Sequence, residues 1–400
     1  MGIVEHLDRV KLPVLLVVVM FTPFVTESWL SYDARSFFYA LSLTIKSVLV
    51  FLLPFVVFSF VAASFIRLGD SAWLFAVLLA GMVFLSNITA IFTGYAIGWF
   101  MVPVIATPIS LDRFDGNGLG IMWVFELSPL FSNMTALLLG VVVGIVVNAL
   151  KNQPLRDGLF RLSEAAGWGL THGFVPLLPL FILGFAFKLH ADGILSQAFV
   201  SFGPLLVLVV VTQLCYLLGC FLVAANFSPR RLMRYMGNIL PVWLTGLGTL
   251  SSAATMPVLI ECTGKNLGNP VMARTVVPVI VNIHTIGSAI CLTILALMIL
   301  NTFNRPLPSL PVFAVFGFYF ALAKFSVAAV PGGVVLVVGP ILQSLLGFSD
   351  EMLGLITALY MIFDPFGTAV NVSGNGAFAI VFDRLCRCFG LAAGASSTPA

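Results

Sequence analysis

Residues 360–375, reading YMIFDPFGTAVNVSGN, decide how this 400-residue chain is to be read. Tyr360, Asp364, Thr368, Asn371 and Asn375 recur at steps of four, four, three and four residues, so they share one face of a helix whose opposite face is apolar. The apolar segment around them continues to about Ile380. On insertion scales a carboxylate at the centre of a membrane helix costs about 2.5–3.5 kcal/mol, so Asp364 is expected to face a partner, an ion or a ligand. The polar stripe reads as the wall of a binding site.

The rest of the chain places that helix in a bilayer. Sixty per cent of residues are hydrophobic, nine per cent are charged, and the mean hydropathy is +1.11. That balance belongs to a polytopic all-α membrane protein and excludes a soluble domain. The net charge of +3 comes from residues at segment ends, with no basic cluster that would take nucleic acid as a partner. The six cysteines lie in or beside apolar segments without the paired spacing of a zinc site, so no metal site is assigned. No nucleophile motif or phosphate loop accompanies the scattered histidines, which excludes an enzyme reading.

Apolar runs of spanning length lie near residues 12–31, 37–66, 72–105, 120–150, 158–190 and 200–226. The first is read as a retained membrane helix. With the N-terminus in the cytoplasm, Arg9, Lys11, Arg67, Lys151, Arg230, Arg231, Arg384 and Arg387 fall inside, while Arg35, Arg113 and Arg305 fall outside. Both termini are therefore expected to be cytoplasmic, in a bacterial inner (plasma) membrane.

After the sixth run the pattern changes. The run from Leu232 is interrupted at LSSAATMP, where Ser251 and Ser252 break it and Pro257 is expected to open a second short arm. A run over residues 271–300 is broken at NIHTIGS, residues 282–288, and a third, over residues 311–346, at VAAVPGG. In that third tip Val330, Pro331, Gly332 and Gly333 cannot continue a helix. Segments broken at membrane depth are the sequence mark of a secondary transporter with re-entrant hairpins, because broken backbone there has to face protein or a water-filled site. Freed amides at a tip suit an anionic group such as a carboxylate, and freed carbonyls suit a cation.

These residues carry a resemblance. SSAATMP, VAAVPGG and DPFGTAVNVSGN resemble the two hairpin tips and the last-helix signature of the dicarboxylate/amino acid:cation symporters, the glutamate transporter family, and the likeness extends over residues 10–390. It implies eight transmembrane helices plus two re-entrant hairpins in a homotrimer. Scaffold helices would occupy residues 1–70 and 116–195. A mobile transport domain, formed by residues 71–115 and 196–390, would move as an elevator, and residues 391–400 would be a disordered tail. By the same likeness Asp364 would pair with a substrate amino group, with Thr368 and Asn371 beside it. Ser251, Ser252, Thr255 and residues 330–333 would clasp a carboxylate.

The departures from the family pattern shape the expected function. Where acidic-substrate members carry an arginine, this chain has Gly367, and the alternative arginine position holds Leu250. A second substrate carboxylate would be buried unpaired, so a small neutral amino acid is expected. The family's Asn-Met-Asp-Gly-Thr stretch reads Asn282, Ile283, His284, Thr285, Ile286 here, and the acid that ends the last-helix signature is Asn375. Losing two carboxylates removes hard oxygen ligands, so sodium coupling through Asn282, His284, Asn371 and Asn375 is expected to be weakened or lost. Lys324, ahead of the second tip, is a candidate to stand in for a sodium ion, against the plainer reading of an ion pair with Asp364. His284 is a candidate proton carrier. The alternatives are a sodium- or proton-coupled symporter of dicarboxylates or acidic amino acids and, from another class, a ligand-gated anion channel or a non-transporting sensor. No cofactor is expected beyond sodium or a proton as coupling ion.

Overall fold

The helices follow from where the apolar runs are interrupted, and in most places the punctuation is proline, glycine or a capping serine. The computed structural model describes residues 15, 18–69, 73–105, 119–131, 133–192, 194–249, 251–268, 270–326 and 333–390. After a helical segment at residues 18–26 come α1 (Tyr32–Gly69), α2 (Trp73–Ile105), α3 (Asn133–Leu150), α4 (Gln153–Gly169), α5 (Leu178–Ala191) and α6 (Ile194–Ala224). The broken half consists of α7 (Pro229–Thr249), α8 (Ser252–Leu267), α9 (Pro270–Ile280), α10 (Ile286–Thr302), α11 (Leu310–Ala323), α12 (Gly333–Leu346) and α13 (Asp350–Cys388). Among the described residues no strand occurs.

Among the described residues four helices are long and apolar enough to cross a membrane, over Tyr32–Ala63, Leu74–Ile105, Gly203–Ala224 and Asp350–Cys388. Two of the expected spans differ, and the one at residues 12–31 lies in part outside the described residues. The run at 158–190 is not one helix: Gln153–Phe174 and Leu178–Ala191 meet at 55°, through a π turn at Leu170–Phe174 and a 3₁₀ turn at Val175–Leu177. Pro176 lies in that bend and Pro179 opens α5, which removes amide donors where the ladder would continue. The run at 120–150 becomes helical only at Asn133; residues 119–131 lie along α1 without helical structure. There the Gly120 amide donates to the Tyr32 hydroxyl (2.8 Å), Trp123 Nε1 to Thr44 Oγ1 (2.9 Å), and the Leu127 amide to Ser47 Oγ (2.6 Å). Side chains of α1 thus satisfy polar groups that a helix would satisfy itself.

Two helices form the centre. α10 is buried all the way round from Ile286 to Leu300, as an apolar helix without a polar face has to be. It packs against α2 and α13, while α6, α7 and α8 also pack on α13. A second layer is built by α1 against α3, α4 and α5. The first expected hairpin is present as α7 and α8, but Pro257 does not open its second arm. The break comes earlier, where Ser251 caps α8 and its hydroxyl accepts from the Ala254 amide (3.3 Å). The second is formed by α11, a 3₁₀ turn at Lys324–Ser326 and α12. Its tip residues Val330, Pro331 and Gly332, like Leu250, lie outside the described residues.

Candidate functional site

The polar stripe of α13 faces the break between α9 and α10. Ile280 ends α9, residues 281–285 are unwound, and α10 restarts at Ile286. Asn371 Oδ1 accepts from the Ser288 amide (3.1 Å), and its Nδ2 donates to Ser288 Oγ (2.8 Å). One amide side chain therefore satisfies an orphan N–H of the first turn of α10 together with the hydroxyl beside it. The Tyr360 side chain is buried on the same face. Thr368 is buried on the same stripe.

Close approach of the two helices depends on glycine. A Cβ at Gly287 would meet the Gly367 carbonyl oxygen at 2.6 Å and Val370 Cβ at 2.9 Å. Gly367 itself faces the Ser288 amide and Gln213 Nε2, each at ordinary contact distance from where its Cβ would stand. Gln213, fully buried on α6, donates from Nε2 to the Gly287 carbonyl (2.9 Å). The position expected to lack a guanidinium is therefore packed against α10 and α6.

The first hairpin is brought to the level of Asp364 by register. On α7, Gly246 lies against Ala369 and Val372, and Ile239 lies against Gly376, so α7 runs antiparallel to α13. Thr263 of α8 also lies beside Gly376. With a rise of about 1.5 Å per residue along each helix, the break between α7 and α8 falls opposite residues 364–366. Ser251 uses its hydroxyl as the cap, Thr255 Oγ1 donates to the Ser251 carbonyl (2.9 Å), and Ser252 opens the helix. The first amides of α8, rather than the capping hydroxyl, are the groups free of helical partners there.

One turn further along α13 the stripe meets a histidine. His284 Nδ1 lies 2.6 Å from Asn375 Oδ1, and His284 Nε2 lies 2.8 Å from Ser86 Oγ of α2. Since an amide oxygen only accepts, Nδ1 carries a proton, and in the neutral ring Nε2 accepts from the Ser86 hydroxyl. The adjacent Asn87 holds the unwound stretch, donating from Nδ2 to the Ile283 carbonyl (2.8 Å) and accepting at Oδ1 from the Thr285 amide (3.2 Å). Asn282 lies in the same stretch, partly exposed. Lys324 is 0% exposed, its Nζ has no hydrogen-bond partner among the described residues, and it stands 5.0 Å from the centre of the Phe320 ring. Gly333 is buried at the start of α12.

Asn371 thus meets the first turn of α10 at Ser288 and Asn375 meets the α9–α10 break at His284, while Asp364 and Thr368 lie on the same face of α13. Ser86, Asn87 and Gln213 complete the site and were not singled out from sequence. Their signal is present, since each is a strongly polar side chain inside an otherwise apolar spanning helix.

The family profile described as sodium:dicarboxylate symporter family matches residues 12–385. A serine/threonine transporter of Bifidobacterium adolescentis is 27% identical over 289 residues, 69% of this chain and 61% of its own length. Excitatory amino acid transporter 4 of Rattus norvegicus is 27% identical over 262 residues, 62% of this chain and 44% of its own length. Human neutral amino acid transporter A is 29% identical over 160 residues, 40% of this chain and 30% of its own length. These matches each span less than two thirds of the relative concerned. An all-helical bundle with a buried polar stripe, unwound helices at its level, and a family match over nearly the whole chain lead to one conclusion: this integral membrane protein belongs to the sodium:dicarboxylate symporter family, a family of amino acid and dicarboxylate transporters.

Proposed function

We propose that the chain is a secondary active transporter of a small neutral amino acid, working by an elevator movement within a homotrimer, with sodium coupling weakened or lost. The observation that carries this reading is the composition of the stripe. Asp364 supplies a carboxylate for an amino group, Asn371 is committed to Ser288, and Asn375 is paired with an imidazole instead of offering a carboxylate to a cation. The amides at the start of α8, level with Asp364, suit the substrate carboxylate. Gly367, packed against Gln213 and Ser288, has no side chain for a second carboxylate, and leaving one buried and unpaired costs several kcal/mol. Ser251, Ser252, Thr255, Gly333, Asp364, Thr368 and Asn371 are assigned to substrate, together with Val330, Pro331 and Gly332 of the second tip.

Coupling is assigned to His284, Asn375, Asn282, Asn371 and Lys324. The buried Lys324 side chain lies within the second hairpin, and as an ammonium it would replace one sodium ion in holding that hairpin closed. A proton-coupled carrier is the second reading, favoured by Ser86. Its hydroxyl can turn from donor to acceptor, so His284 can take a proton on Nε2 without losing either hydrogen bond.

The deciding experiment is thermal unfolding of the purified protein against neutral amino acids, acidic amino acids and dicarboxylates, each in sodium and in a sodium-free salt. Ligand at 100 times its dissociation constant adds about 2.7 kcal/mol. A neutral amino acid that stabilises equally in both salts, and loses that effect in Asp364→Asn, supports the proposal. Stabilisation only by a dicarboxylate with sodium refutes it, and counterflow in proteoliposomes then separates a carrier from a sensor.

A further inference from the structure

A groove of about 780 Å³ runs between α2 and α6, with α13 as its floor. It is lined chiefly by apolar side chains, and its polar wall groups are already paired. Ser86 Oγ is held by His284, the Tyr216 hydroxyl and Thr89 Oγ1 bond each other at 2.8 Å, and Thr93 and Thr212 donate to carbonyls of their own helices. A polar solute would find no free hydroxyl donor there, only spare lone pairs on hydroxyls such as those of Thr93 and Thr212 and the weakly bonding thiols of Cys215 and Cys220. Its volume falls within the range of about 300–1,000 Å³ usual for small-molecule sites, yet its chemistry suits hydrocarbon.

The rim points to the occupant. It is continuous with the exposed apolar side chains Val207, Val211, Leu214 and Leu218 of α6 and Met101 and Val104 of α2. In an integral membrane protein such a face lies against the bilayer. On the floor, Phe378 lines the groove and stands 4.5 Å, centre to centre, from the His284 ring, which lines it too.

We propose that this groove binds one acyl chain of a membrane phospholipid, laid from the bilayer across Phe378, and that the chain adds an apolar cover beside the already buried His284–Asn375 pair. The site is separate from the amino acid site, because the wall has no charged group and the substrate groups on α13 face α10 and the hairpin. The lipid keeps the imidazole in a dry, low-dielectric setting in which its two hydrogen bonds are strongest.

Gly219 makes the test specific. It lines the groove, and a Cβ built there meets nothing within 4 Å, so Gly219→Leu is expected to place its side chain in the groove. Protein reconstituted in phosphatidylcholine vesicles, then exchanged extensively into lipid-free detergent, is weighed by native mass spectrometry. The wild type and Gly219→Ala, too small to fill the groove, are expected to retain one phosphatidylcholine per chain, and Gly219→Leu is expected to lose at least four fifths of it. Amino acid binding in thermal unfolding stays unchanged in all three. Equal lipid retention in Gly219→Leu overturns the proposal. A loss of oligomer mass with lipid retained would also overturn it, by placing a second copy of the chain on this face.

Discussion

His284 Nδ1 stands 2.6 Å from Asn375 Oδ1, which joins the unwound segment between α9 and α10 to the final helix through an imidazole and an amide. Both positions carry carboxylates in the family pattern that the sequence resembles. A neutral donor meeting a neutral acceptor has no net charge to offer a hard cation, although Asn375 Nδ2 stays buried without a hydrogen-bond partner among the described residues. Restoring both acids, as His284→Asp with Asn375→Asp, is therefore expected to create a sodium requirement. Substrate stabilisation in thermal unfolding should become dependent on sodium in the double variant only. Each single variant should be less stable than the wild type by about 1–3 kcal/mol, since it leaves a buried polar partner unsatisfied. A double variant indifferent to sodium would remove this pair from the coupling site.

Lys324 has no buried hydrogen-bond partner among the described residues, only the face of Phe320. An ammonium in that position is costly to fold around, and the cost is tolerated where the charge has a task. Lys324→Met, close in volume and uncharged, is expected to raise the unfolding midpoint of the substrate-free protein. The same change should weaken substrate binding at least tenfold, about 1.4 kcal/mol, in sodium-free buffer, and sodium should restore part of it. Raised stability with unchanged affinity would show that the ammonium takes no part in holding the second hairpin.

The α10–α13 crossing should tolerate no side chain at Gly287. The first atom that a Cβ would meet is the Gly367 carbonyl oxygen, at 2.6 Å, and backbone of a helix interior does not yield as a side-chain tip does. Gly287→Ala is expected to cost about 1–3 kcal/mol through overpacking. It should also weaken substrate binding, because the helices it pushes apart carry Ser288 and Asn371. Gly219→Ala, in open space, serves as the neutral comparison. Thermal unfolding and substrate titration of the two variants check both statements.

Much of this site was legible in sequence because its chemistry is local to the chain. The step pattern of Tyr360, Asp364, Thr368, Asn371 and Asn375 is a property of one helix, and α13 is continuous from Asp350 to Cys388 even with Pro365 inside it. The breaks at Ser251 and at residues 281–285 were marked by small and polar residues within apolar runs. What escaped reading depends on partners distant in sequence. Ser86 reaches His284 across 198 residues and Gln213 reaches Gly287 across 74. The run at 120–150 misled because apolar content gives the depth of a segment but not its backbone, and residues 119–131 bond to α1 side chains instead of to themselves.

The remaining prediction concerns the contact between α1 and the N-terminal end of α13. Lys46 of α1 forms an ion pair with Asp350, whose Oδ1 also accepts from Gln343 Nε2 of the second hairpin's last turn (3.0 Å). Seven residues before Lys46, the Tyr39 hydroxyl donates to Glu351 Oε1 (3.1 Å). In the proposed elevator movement α1 would stay with the scaffold while α12 and α13 travel, so these bonds would have to break in each cycle. They are partly buried, which makes them stronger than an exposed pair, and truncating one member leaves the other charge poorly solvated. Lys46→Met with Tyr39→Phe removes both links from the scaffold side and leaves the stripe of α13 untouched. Substrate affinity in detergent should stay within about twofold, well inside the 0.5 kcal/mol expected of changes away from the site. Counterflow in proteoliposomes should change rate by several-fold, because the bonds stabilise one end of the movement and not the other. Unchanged counterflow together with lowered thermal stability would instead assign Lys46 and Tyr39 to static packing between α1 and α13.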